Sequence, residues 1–381
     1  MHRFERVVFH IGFHKTGTTA IQEALTANLA LLDESDWCYW GGNFKGRDLG
    51  INAWPLMWTL AGGKPGAAIA NHPEYLPEMI PIFRQWLEEQ AASNLLISSE
   101  SLWDFSEDHW KKALSHFEPF VAVDADIRML LMTRHPVSWT LSSFNQAVKV
   151  GEEKHPISNY LCANPSVLGA LKDKDWMWNN RVMKLEIKRY EDMLQGGLGK
   201  EFLTWLGVQY DDSQVVLPPP VNASMCLESR WIAQSAIRYE NALFDPLFWY
   251  QISDLPGTKD GVSAAMAQRI WGQWGESMNA MLESFDQPMY SFDEGFKPVV
   301  VERLWPSSCL NAWRTRVLSL SRSSAKRIHR VMQNLQPDIP VSEWPAEVQS
   351  RFKQLKHMIW LRAHFPKVVS SLGIWLVYTE R

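Results

Sequence analysis

Val7-Val8-Phe9-His10-Ile11-Gly12-Phe13-His14-Lys15-Thr16-Gly17-Thr18-Thr19-Ala20-Ile21-Gln22 decides how the chain reads. The apolar run to Ile11 has the make-up of a buried strand, and it breaks at Gly12. A polar loop with a second glycine, Gly17, leads into a helical pattern. A strand–loop–helix unit of this kind presents an anion site. Backbone N–H groups and the positive end of the helix dipole both favour a phosphate there. Glycine allows close approach of the backbone, and Thr18 and Thr19 add hydroxyl donors.

Outward from this stretch, Ala20, Ile21, Ala24, Leu25, Leu29 and Leu32 recur at helical spacing and predict one amphipathic helix over 18–32. A short strand is expected at Trp37-Cys38-Tyr39, loops and a short helix over 41–75, and a helix over 78–92. Three further strands are expected at 94–99, 127–133 and 182–190, running into Glu100, Arg134 and Tyr190 respectively. Pro136 sits where a helix to about Lys149 should begin, and a helix after Tyr190 should stop at Gly207. Strands alternating with helices predict an α/β fold, a parallel sheet flanked by helices. Ligands of such sheets bind beyond the carboxyl ends of the strands. The loop, Glu100, Arg134 and Tyr190 all fall at that edge.

Pro218-Pro219-Pro220 interrupts the chain, and helices are expected over 228–243, 263–284, 313–335 and 346–364. From Val301 onward there are 13 Lys/Arg and 5 Asp/Glu, a net of +8 within a chain of net −4, so the first 300 residues carry −12. The organisation read from this is a main domain over 1–300 and a basic helical C-terminal extension over 301–381. Basic amphipathic helices can dock on anionic surfaces, so peripheral membrane contact is one use of the extension. Packing on the core and holding an acidic glycan are others. The acidic overall balance and the lack of a recognised motif speak against nucleic acid. Four scattered cysteines without CxxC spacing give no zinc or dithiol pattern. With no signal-peptide pattern at the N-terminus, a cytoplasmic location is expected. Most of the 20 tryptophans read as core residues, with those in 37–58 as candidates for stacking on a sugar.

A Walker A loop, GxxxxGK[ST], carries its lysine directly after the second glycine. Gly12 and Gly17 keep the glycine spacing, but Thr18 holds the lysine position and Lys15 lies inside the loop. Lys15-Thr16-Gly17-Thr18-Thr19 resembles the 5′-phosphosulfate loop of the sulfotransferase family. Thr133-Arg134-His135-Pro136, with Ser142 eight residues beyond the arginine, looks like that family's 3′-phosphate motif. Tyr190-Glu191-Asp192-Met193, followed by Phe202 and Leu206-Gly207, is similar to its Tyr-Glu-Asp turn. The resemblance covers roughly residues 6–245.

It implies 3′-phosphoadenosine 5′-phosphosulfate (PAPS) as sulfuryl donor and the desulfated nucleotide (PAP) as product, without a metal. Lys15, Thr16, Gly17, Thr18 and Thr19 would hold the 5′ end, with Lys15 at the bond that breaks. Arg134 and Ser142 would take the 3′-phosphate, and Tyr190 the adenine. The family's late closing loop of arginine, lysine and glycine is not found, and Asn222 and Ser224 are the substitutes. Glu100 stands where cytosolic members place a catalytic histidine and is the expected base, with His14 the alternative. The acceptor hydroxyl or amine is open between a glycan, a lipid and a small alcohol. Competing readings are a P-loop nucleotide kinase and a nucleotide-binding protein that docks on membranes.

Overall fold

A computed structural model describes residues 3–62, 79–149, 151–153, 155–163, 183–218, 226–240, 261–294, 299, 304–319, 322–335, 337 and 341–364. The apolar runs form one five-stranded sheet. Its strands are β1 (Phe4–Gly12), β2 (Trp37–Tyr39), β5 (Asn94–Ser98), β6 (Val121–Thr133) and β7 (Lys184–Arg189), in the order β2-β5-β1-β6-β7 and all parallel. Gly42–Phe44 (β3) and Arg47–Gly50 (β4) make a separate hairpin within the stretch expected as loops. β1 is central and buried from Val7 to Gly12, which is why it reads as a continuous apolar run. Val7 pairs with Leu95 on one side and Ile127 on the other, and His10 with Ser98 and Leu130.

The order places the topological switch between β1 and β6. From β1 the chain moves towards β2 and β5, and from β6 it moves the other way to β7. A crevice beyond the carboxyl ends of two such strands is where open α/β sheets take ligands. The Lys15 loop leaves β1 and Arg134 leaves β6 at that crevice.

Two expected helices are broken, each for a visible reason. The first is Thr18–Ala27 (α1) followed by Leu29–Glu34. Asn28 between them donates Nδ2 to the carbonyls of Ala24 at 2.6 Å and Val216 at 2.8 Å, and its Oδ1 accepts from the Val216 N–H at 2.8 Å. A side chain that bonds the backbone on both sides competes with helix continuation. The break turns Leu29 outward, 37% exposed, against its expected place on the apolar face. The second expected helix is split by Gly196-Gly197 into Tyr190–Gln195 and Leu198–Leu206, and it stops at Gly207 with φ +82°. The core on this side of the sheet joins Ile21, Leu25, Leu96, Leu130, Phe202 and Leu203.

The chain divides into two compact units. The first holds residues 1–135, 166–221 and 276–291, and therefore the sheet. The second holds 136–165, 222–275 and 292–381. This partition crosses the chain repeatedly. In the second unit, helices Ser307–Ser319, Arg322–Gln333 and Ala346–His364 bury Trp313, Val317, Ile328, Met332, Val348, Phe352, Leu355 and Ile359. The apolar stripes of the basic helices are thus occupied by their own unit. Cys226 and Cys309, 83 positions apart, bring their thiols together there, and the contact with Cys226, with burial second, pushes the Cys309 thiol up. Trp40 is buried edge-on to Phe83 and Trp86, and Trp37 is buried too, so both serve the core rather than a sugar. No helix among the described residues is long and apolar enough to cross a membrane.

Candidate active site

The loop after β1 is held by its own side chains. Thr16 is buried and its hydroxyl donates to the Phe13 carbonyl at 2.6 Å, so this threonine shapes the turn. Lys15 adopts φ +70°, a conformation unusual for a residue with a Cβ. Gly17, at φ +81°, is the N-cap of α1. A Cβ on Gly17 would fall inside contact distance of Leu198 Cδ2 and 2.8 Å from Tyr190 Cε2. At Gly12 a Cβ would meet the Thr16 and Thr18 hydroxyls at 2.6 and 2.9 Å. Both glycines are therefore favoured by close approach, and Gly17 by its backbone shape as well.

Three features fit an anion at this loop. The Thr18 hydroxyl is buried without a hydrogen-bond partner among the described residues. Arg134 Nε is in the same condition. Finally, α1 has no side-chain cap, and its first backbone bond is Ile21 N–H to the Gly17 carbonyl, so the N–H groups of its first turn lack intrahelical acceptors. Buried donors normally find partners, and a bound oxyanion is one that would serve them.

Arg134 connects the two motifs. Its Nη1 donates to the Lys15 carbonyl at 2.7 Å, and its guanidinium lies 4.8 Å from the centroid of the Tyr190 ring. The Tyr190 edge in turn packs against Gly17. Lys15, Gly17, Arg134 and Tyr190 thus form one contiguous group. Ser142 is half-buried on the helix Pro136–Lys149, which belongs to the second unit. Asn222 and Ser224 lie outside the described residues.

Sequence reasoning missed a buried polar network behind Arg134. Glu191 Oε1 accepts the His135 N–H at 3.0 Å, and Oε2 accepts the Tyr290 hydroxyl at 3.1 Å. The Thr133 and Tyr290 hydroxyls are 3.1 Å apart. Arg189 lies 4.3 Å from the Tyr290 ring centroid and donates to the Met289 carbonyl at 3.3 Å. Burial raises the pKa of Glu191 against the opposing hydrogen bonds from the His135 N–H and Tyr290. The Tyr-Glu-Asp turn gave a sequence signal for Glu191; Tyr290 had none.

On the other side of β1, Glu100 opens a short 3₁₀ helix, Glu100–Asp104, at the end of β5. His14 Nε2 is 3.3 Å from Asp104 Oδ2, with the two side chains 47% and 50% exposed. The Asp104 hydrogen bond raises the pKa of His14. Desolvation and the Lys15 charge oppose it, and the charges of Asp104 and Glu100 assist. His10 is fully buried with Nδ1 2.8 Å from Ser98 Oγ, and desolvation lowers its pKa to about 3. It is a neutral core residue and no base.

No family model and no curated protein matches the sequence. Among solved structures, a sulfotransferase domain from the curacin biosynthetic pathway is similar. The match has 14% identity and covers 71% of this chain and 98% of that domain, with a TM-score of 0.33.

Proposed function

We propose that this protein is a PAPS-dependent sulfotransferase that moves a sulfuryl group to an acceptor hydroxyl or amine and releases PAP. The observation that carries the reading is the joining of the Lys15 loop, Arg134 and Tyr190 into one group at the β1/β6 switch point. Bound there, the donor nucleotide would supply a sulfuryl group on a phosphate leaving group. The loop N–H groups, the Thr18 hydroxyl and Lys15 would stabilise the charge that grows on that phosphate. Arg134 offers a guanidinium already oriented by Lys15 and Tyr190, and it would take the 3′-phosphate. Tyr190 would border the adenine. Thr16 contributes through the shape of the loop. Glu100 and His14 are the two candidates to receive the acceptor proton. No metal is assigned a role.

The acceptor class stays with a glycan, a lipid or a small alcohol, and a cytoplasmic setting goes with the reading. A nucleotide kinase is disfavoured because Thr18 stands where its lysine should be. Membrane docking is disfavoured as the main role because the described apolar faces of the basic helices are buried. Titration calorimetry with PAP and with ATP tests the proposal. Tighter binding of PAP is expected, and a preference for ATP overturns the reading.

A further inference from the structure

We infer that His14 and Asp104 form a catalytic dyad in which Asp104 orients the imidazole and His14 takes the acceptor proton, with Glu100 acting through its charge. The inference rests on the sulfotransferase reading and assigns the base within that same site.

Two loops that are far apart in sequence meet because β1 and β5 are neighbours in parallel register, His10 beside Ser98. The Ser99 N–H donates to the His10 carbonyl at 3.0 Å and carries the pairing one residue past β5. Beyond that point the two segments are clamped by a pair of buried rings, Phe13 and Trp103, with centroids 4.4 Å apart at 63°. Each ring immediately precedes a member of the dyad, Phe13 before His14 and Trp103 before Asp104. The ring pair therefore fixes the backbone next to each member of the dyad, while the dyad itself stays half exposed. A base must be fixed to be efficient and open to reach its substrate. His14 and Asp104 meet both conditions.

The hydrogen bond also sets the tautomer. A carboxylate accepts, so Nε2–H of His14 donates to Asp104 and the lone pair of the neutral ring belongs to Nδ1. In the transfer step the acceptor oxygen forms the new bond to sulfur with its own electron pair. The bond from sulfur to the nucleotide's phosphate oxygen breaks, and its electron pair leaves with PAP. The hydroxyl proton moves to His14 Nδ1, and Asp104 and Glu100 stabilise the imidazolium that forms. Lys15, the next residue in the chain, is the opposing charge. Among the described residues, Asp104, Glu100 and Lys15 are charged groups that act on this ring.

The test combines a ring titration with a rate profile on the full chain. Nitrogen-15 NMR follows the His14 titration in wild type, Asp104→Asn and Glu100→Gln. PAP release from PAPS with water as acceptor gives the pH–rate profile, and calorimetry gives PAP affinity. Expected for Asp104→Asn are a His14 titration and an acid limb that both move down by about one pH unit, with PAP affinity unchanged. Glu100→Gln should move both less and lower the rate by less than His14→Gln, which should lose roughly 100-fold or more. An acid limb unmoved in Asp104→Asn overturns the dyad, as does a His14 titration unmoved in that variant. Loss of transfer in Glu100→Gln with a normal His14→Gln rate overturns it in favour of Glu100. Failure of wild type to bind PAP is a different result, which removes the parent reading and the dyad with it.

Discussion

Arg134 donates to the Lys15 carbonyl at 2.7 Å across 119 positions of sequence, while its guanidinium rests on the Tyr190 ring. A group expected only to meet a 3′-phosphate is therefore also a strut of the 5′ loop. The same contacts that orient the guanidinium fix Lys15 in its left-handed conformation. The two ends of the proposed nucleotide site are coupled before any ligand arrives.

That coupling makes lysine a poor substitute for arginine here. Arg134→Lys keeps the charge but loses the planar fork and the stacked face. Calorimetry with PAP should show binding weakened by about tenfold or more, with a stability loss of only about 1 kcal/mol by urea unfolding. Unchanged affinity would separate Arg134 from the ligand.

Gly17→Ala adds a methyl where Leu198 and Tyr190 already stand, at φ +81°. The strain and the displaced tyrosine should cost ~1–3 kcal/mol in urea unfolding and abolish measurable PAP binding. Gly46→Ala, also at positive φ (+76°) but with nothing within 4 Å of the added Cβ, is the control. It should cost less and leave binding intact.

His10 makes the fold acid-sensitive. Its folded pKa of about 3 lies well below the ordinary histidine value of 6.5, so the unfolded chain binds this proton first. The stability that His10 contributes is fully present above pH 6.5 and is lost as pH falls towards 3, by up to about 1.4 kcal/mol per pH unit. Urea unfolding between pH 7 and pH 5, compared with His10→Gln, should show a steeper decline in wild type. Parallel declines would contradict a buried neutral imidazole.

Glu191 works in the opposite direction. Burial raises its pKa, so the folded state binds its proton more tightly than the unfolded chain. The associated stability is full below the unfolded pKa and is lost as pH rises through the raised value. Glu191→Gln removes that loss and keeps a carbonyl for the His135 N–H. Measured against wild type, its relative stability should be more favourable at pH 7 than at pH 5.

What could be read from the sequence follows the range of each interaction. The strands, the loop and its two glycines were legible because local pattern fixes them, and the structure places Glu100, Arg134 and Tyr190 at one sheet edge as expected. Thr16 was legible as polar but not as a turn-former, since its bond to Phe13 depends on the loop's shape. Asn28 looked like one polar position in a helix. Its break comes from Val216, 188 positions away. Tyr290 meets Glu191 across 99 positions and Asp104 meets His14 across 90. Neither pairing leaves a periodic trace, because each is set by which strands become neighbours.

The central claim is that the site transfers a sulfuryl group from PAPS. The most direct measurement is a paired incubation of wild type and Lys15→Ala with radiosulfur-labelled PAPS and, separately, with γ-phosphate-labelled ATP, across glycan, lipid and small-alcohol acceptors. The account predicts label moving from PAPS to one acceptor class in wild type, at least about 100-fold less transfer in Lys15→Ala, and none from ATP. Transfer of the γ-phosphate from ATP, with PAPS inert, would contradict it.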